Sequence, residues 1–230
     1  MSVKSENKRW FKVYKKIVSI FFSKPKFVYL GEKISEPSLI LSNHVGAKAP
    51  VRWEIYFEYS FRFWGVSDMT QGAKAVHKYL TTTYFHQKKH FNKFFAWLIG
   101  TIATPFVNLF YRGMNLIPTY DDIKFAITIR ESVKTIQNGS NLIIFPEDSS
   151  KGYKDHLTHF FSGFVTLAET ILKKGIDIPI FTAYYQKHKN TFVIDKGVRY
   201  SRLKELYKEP DAIALAMKNR VNELAEEHSN

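Results

Sequence analysis

The chain has 230 residues, 45% hydrophobic, 16% aromatic and 24% charged, enough to bury a core in one large domain and too apolar for disorder to be the default. Its 34 lysines and arginines against 21 aspartates and glutamates give a formal charge of +13, which points to an anionic partner: nucleic acid, a membrane surface or a phosphorylated small molecule. The absence of cysteine excludes a disulfide framework, a thiolate metal site and a cysteine nucleophile, and fits a reducing compartment.

The charge is concentrated at the N-terminus, where Lys4, Lys8, Arg9, Lys12, Lys15, Lys16, Lys24 and Lys26 face Glu6 alone. Within this stretch Trp10, Val13, Tyr14, Ile17 and Phe21 share one face of a helix, with Lys12, Lys15 and Lys16 off it, and Pro25 ends the pattern. The apolar core from Ile17 to Phe22 is too short for a secretory signal. Two readings stand: a helix at the headgroup boundary of an anionic leaflet, or a solvated helix packed on the domain. Residues 1–26 are read as this appendage and 27–230 as one domain, without repeats or low-complexity segments.

Further along, Phe27 to Leu30 and Leu39 to Ser42 read as short strands and Pro50 to Phe63 as a helix with proline at its start. The longest uncharged run, Phe94 to Tyr111, has 18 residues but contains Gly100, Thr101, Thr104, Pro105 and Asn108, so it reads as a buried or membrane-grazing helix that breaks before Pro105, in preference to a transmembrane span. Asp122 to Gln137 reads as a helix closed by Asn138-Gly139, and Leu142 to Phe145, stopped by Pro146, as a strand covered on both faces. Phe160 to Lys174 is a helix ended by Gly175, Ile178 to Tyr185 a strand, Thr191 to Val198 its hairpin partner and Asp211 to Glu227 the last helix. Strands alternating with helices predict an α/β fold, a mixed sheet flanked by helices.

Chemistry-bearing side chains gather in the turns after two strands, Ser42-Asn43-His44-Val45-Gly46 and Glu147-Asp148-Ser149-Ser150-Lys151-Gly152, and ligands of open α/β sheets bind at such strand ends. His44 taken alone reads either as a structural loop histidine or as an acid–base group. The second turn has the composition of a phosphate-binding loop and equally that of a hydrophilic surface loop.

Asn43-His44 after an apolar strand, Phe-Tyr-Arg-Gly at 110–113, Ile-Phe-Pro-Glu at 144–147 and Ile-Pro-Ile at 178–180 follow the order and spacing of four sequence blocks. The chain thereby resembles the glycerolipid acyltransferases, which include lysophosphatidic acid and glycerol-phosphate acyltransferases, over residues 37 to 185. The resemblance implies a membrane-surface enzyme that moves a fatty acyl group from a thioester, acyl-CoA or acyl carrier protein, to a hydroxyl of a lysophospholipid or related precursor. It implies His44 as general base, with Asn43, Arg112, Glu147, Ser149, Ser150 and Lys151 around the substrate. The chemistry needs no metal and no permanently bound cofactor; the lack of a helix-turn-helix, zinc-finger or RNA-recognition signature sets nucleic acid aside, and the lysine-rich amphipathic N-terminus predicts peripheral attachment to the cytoplasmic membrane face. Two blocks depart from the family pattern: Ala49 stands where an aspartate orients the histidine, and Asp148, Ser149 and Ser150 replace Gly-Thr-Arg. With Pro50 as first helical residue, Glu54 lies one turn inside and is the candidate replacement acid. The alternative function is a catalytically inactive lipid-binding relative.

Overall fold

The computed structural model describes residues 9–150 and 152–228. Residues 1–8, including Lys4 and Lys8, and Lys151 lie outside them. In chain order the elements are α1 (Arg9–Ser19), β1 (Lys26–Tyr29), β2 (Leu39–Ser42), α2 (Lys48–Tyr56), β3 (Phe61–Val66), a 3-10 turn (Ser67–Thr70), α3 (Ala73–Lys78), a π-helical segment (Tyr79–Lys88), α4 (Lys93–Met114) and β4 (Ile117–Thr119). Then follow α5 (Phe125–Gln137), β5 (Asn141–Ile144), α6 (Gly163–Leu172), β6 (Pro179–Gln186), β7 (Thr191–Ile194), β8 (Val198–Arg199), α7 (Tyr200–Leu206) and α8 (Pro210–Glu227).

One mixed sheet runs in the order β1-β7-β6-β2-β5-β3-β4, with β8 paired to β6. β2 lies parallel between β6 and β5, with Leu39 opposite Ile180 and Leu142, while β7 and β8 are antiparallel to β6. All residues of β2, β5, β6 and β7 are buried, because helices cover both faces of the sheet. The two-residue alternation of a strand divides them between two cores. Leu39, Leu41, Leu142, Ile144 and Val193 join α5, α6, α7 and α8 on one face. Ile40, Ile143, Tyr185, Phe192 and Ile194 join α1, α2 and α4 on the other, where Trp53 is fully buried with its ring centroid 4.3 Å from that of Phe192.

Several expected elements differ. The hairpin partner expected over Thr191 to Val198 ends at Ile194, and Val198-Arg199 form β8, which pairs with the start of β6. The predicted helix over Pro50 to Phe63 begins earlier and stops at Tyr56, since Phe61 and Phe63 are needed in β3, which pairs in parallel with β5. The break expected before Pro105 does not occur. α4 runs through Pro105, the Thr104 hydroxyl donates to the Gly100 carbonyl at 2.7 Å, and Gly100 packs so closely on Thr81 of the π-helical segment that a Cβ would collide with it. α1 docks through Phe11, which lies outside the expected apolar stripe; its ring is 5.6 Å from that of Phe110 and sits where a side chain on Gly113 would have to be. Of the stripe, Tyr14 turns inward beside Phe110, while Val13, Ile17 and Phe21 stay exposed.

Candidate functional site

β2 and β5 are parallel neighbours, so the turns leaving their carboxyl ends meet. The Asn43 side chain fixes the first turn: its Oδ1 accepts from the Tyr185 amide at 2.6 Å and its Nδ2 donates to the Tyr185 carbonyl at 3.2 Å, extending the β2–β6 ladder by one side chain. Glu147 ties the second turn to the first, its Oε1 accepting from the His44 backbone amide at 3.1 Å. Glu147 is itself held by a bridge to Phe160. After His44 the backbone enters the left-handed region at Val45 (φ 45°) and Gly46 (φ 63°). A β-branched residue there costs about 1–3 kcal/mol, a strain the surrounding structure holds in place. At Gly46 a Cβ would sit 3.4 Å from Lys89 Nζ and 3.6 Å from the Tyr84 hydroxyl.

The His44 ring stacks on Tyr153, centroids 5.0 Å apart, and meets the edge of Phe145 at 4.8 Å. Its Nδ1 is buried without a hydrogen-bond partner, while the residue keeps part of its surface in solvent. Burial and the nearby Lys88 ammonium push the imidazole pKa down to about 3, so the ring is neutral. Burial pushes Glu147 up to about 7, opposed by the His44 amide and Lys88.

The structure does not bring Glu54 to His44. Position 54 turns toward α1, where Oε1 pairs with Lys15 Nζ at 3.2 Å; burial raises this carboxyl to about 7 and Lys15 pulls it back. Arg112 is exposed in the last turn of α4 and does not line the cleft beside His44. Ser149 and Ser150 are at the second turn, the Ser150 amide donating to Asp148 Oδ1 at 2.9 Å.

The sequence reading missed the groups that arrive from the segment between β3 and β4. Lys88, the last residue of the π-helical turn, donates to Ser149 Oγ at 2.7 Å, and its Nζ lies 5.3 Å from the Tyr153 ring centroid. Lys89 lies over Tyr84 and Tyr153. Beside the His44 turn a cleft of about 210 Å³ is lined by Val45, Lys48, Lys89, Tyr153, Lys154, Asp155 and Lys187. Asp155 is paired with Lys187 at 2.9 Å, so the lining is strongly basic and suits a phosphate or carboxylate. Only the Lys-Lys dipeptide at 88–89 could have pointed there. A larger surface groove of about 720 Å³ between α5 and α6 shares no lining residue with this cleft. Among the described residues no cluster of three histidine, aspartate or glutamate side chains could hold a metal.

No protein-family model and no curated protein matches the chain. Among solved structures it is similar to the crystal structure of the 1-acyl-sn-glycerophosphate (LPA) acyltransferase, PlsC, from Thermotoga maritima, with a TM-score of 0.55 and 12% sequence identity over 96% of this chain and 79% of that one. At that identity the likeness establishes the fold alone: a mixed α/β sheet flanked by helices, as in that structure.

Proposed function

We propose that the protein is an acyltransferase, moving a fatty acyl group from acyl-CoA or acyl carrier protein to a hydroxyl of a lysophospholipid or related lipid precursor at a membrane surface. The observation that carries this reading is the neutral His44 at the carboxyl end of β2, its backbone amide held by Glu147 beside a lysine-lined cleft. The acceptor places its anionic group on the lysines and its hydroxyl at the imidazole, which takes the proton as oxygen attacks the thioester carbonyl. Backbone amides of the turn at 45–47 meet the oxyanion, and expulsion of the thiolate completes the transfer. The outward apolar residues of α1 and α4, Val13, Ile17, Trp97, Ile102 and Phe106 among them, with Phe21 in the turn after α1, support delivery of the acceptor from a bilayer, and the basic N-terminus supports its anionic, cytoplasmic leaflet.

The second reading, a silent lipid-binding relative, has its own observation: Ala49 is wholly buried and leaves His44 Nδ1 without an acid. One experiment separates the two. The full chain is incubated with radiolabelled palmitoyl-CoA or palmitoyl-acyl carrier protein and 1-oleoyl-lysophosphatidic acid. Labelled diacyl product, reduced at least a hundredfold by His44→Ala, is expected; lipid bound without turnover would select the second reading.

A further inference from the structure

The His44 imidazole is a weak base for an alcohol, since burial and Lys88 hold its proton affinity down and Nδ1 finds no carboxylate to steady an imidazolium. Beside the imidazole a second pair lies within hydrogen-bond distance. Lys88 Nζ is 2.7 Å from Ser149 Oγ and over the face of Tyr153, the ring that stacks on His44. Ser149 sits two residues beyond Glu147, whose carboxyl holds the His44 amide, so the hydroxyl and the imidazole border one site. Lysine replaces histidine as the base of serine nucleophiles in several unrelated enzymes. The π-helical turn that delivers Lys88 is of a kind concentrated at functional sites.

We propose that Ser149 and Lys88 form a nucleophile–base pair and that acyl transfer proceeds through an acyl-serine at Ser149. This rests on the acyltransferase reading above and changes its route. In the first half, Ser149 Oγ bonds to the thioester carbonyl carbon, Lys88 in its amine form takes the hydroxyl proton, and the C–S bond breaks as thiolate leaves to take a proton from solvent. In the second, the acceptor hydroxyl attacks the ester carbon and gives its proton through His44 to solvent, while Lys88 returns its own proton to Oγ as the C–O bond to Ser149 breaks. Splitting one difficult step into two suits a site whose histidine is unassisted. At rest Lys88 is the ammonium whose charge acts on His44 and which donates to Ser149 Oγ; burial lowers its pKa while Glu147 and Asp148 raise it, and the amine that takes the hydroxyl proton forms by loss of a proton to solvent before the thioester is attacked.

The test omits the acceptor. Full-length protein is mixed with palmitoyl-CoA, and separately with palmitoyl-acyl carrier protein, then followed for thiol release and by intact-mass and peptide mass spectrometry. One equivalent of thiol and one palmitoyl group on Ser149 are expected. Ser149→Ala should give neither, Ser149→Cys should restore an adduct as thioester, and Lys88→Met should slow acylation at least a hundredfold. His44→Ala should still acylate and then hold the adduct when 1-oleoyl-lysophosphatidic acid is added. Absence of thiol release with both donors, or Ser149→Ala transferring within twofold of wild type, overturns the acyl-serine and leaves one-step transfer standing. An adduct at Ser149 that passes only to water overturns the acyltransferase reading and leaves the pair in place.

Discussion

Asn43 serves architecture before chemistry. Both polar ends of its buried amide are occupied by the backbone of Tyr185, so Asn43→Ala leaves a buried amide and a buried carbonyl unpaired and should cost about 3 kcal/mol in urea unfolding. Glu147 makes a prediction in pH. Folding raises its pKa from 4.5 to about 7, so the folded chain keeps a proton that the unfolded chain has released, and the group's contribution falls as pH rises from about 4.5 to 7. Glu54, raised to about 7 as well, adds to this fall, whereas His44, lowered to about 3, loses its contribution as pH drops below 6.5. Glu147→Gln removes one titrating group, and its stability relative to wild type should climb between pH 4.5 and 7 and then level off. Parallel pH profiles for the two proteins would show that the carboxyl is not desolvated. The histidine and the glutamate were legible as residues because each follows an apolar strand. Their pairing through a backbone amide was not, since it requires β2 and β5 to be parallel neighbours.

At the scale of elements, legibility followed continuity of pattern. β2, β5 and the β6–β7 hairpin are mostly apolar runs with clear stops at Asn43, Pro146 and Lys189-Asn190. β3 was hidden because Phe61 and Phe63 continue the apolar spacing of α2 with no glycine or proline between. The segment 73–88 has no helical period of 3.6 because its second half is π-helical, and with it the cations of the site were lost to view. Among the contacts that attach α1, two differ in kind: Phe11 against Gly113, and Lys15 against Glu54. Gly113→Val should force Phe11 out and release the helix, seen as faster tryptic cleavage within residues 9–24. Glu54→Gln should likewise speed that cleavage while leaving kcat within about twofold of wild type, since its carboxyl meets Lys15 and not His44. A tenfold loss of kcat with α1 still protected would return Glu54 to the catalytic machinery.

For the whole molecule, the arrangement of helices on the sheet decides where a bilayer could touch. α1 and α4 lie side by side, Tyr14 donating to the Phe106 carbonyl at 2.9 Å, and both leave large apolar side chains in solvent. On α4 these are Phe94, Phe95, Trp97, Ile102 and Phe106, each more than half exposed. α4 is long and apolar enough to cross a membrane, yet its other face is packed on the π-helical segment and on Phe11 through Gly100, Phe110 and Gly113. A helix fixed to its domain along one side presents a stripe and not a cylinder, which suits immersion to about 5–10 Å at the headgroup boundary. Two stripes on neighbouring helices should then share the binding. In sedimentation with vesicles of phosphatidylcholine and phosphatidylglycerol, Val13→Glu with Ile17→Glu should weaken association about tenfold, Ile102→Glu with Phe106→Glu by a similar factor, and all four together should abolish it. Raising salt should weaken wild-type binding only in part, because screening acts on the lysines over about 8–10 Å and leaves apolar insertion intact. If the α1 pair alone abolishes binding, α4 does not touch the bilayer and its exposed face has another occupant; if full binding survives all four substitutions, neither helix is the anchor.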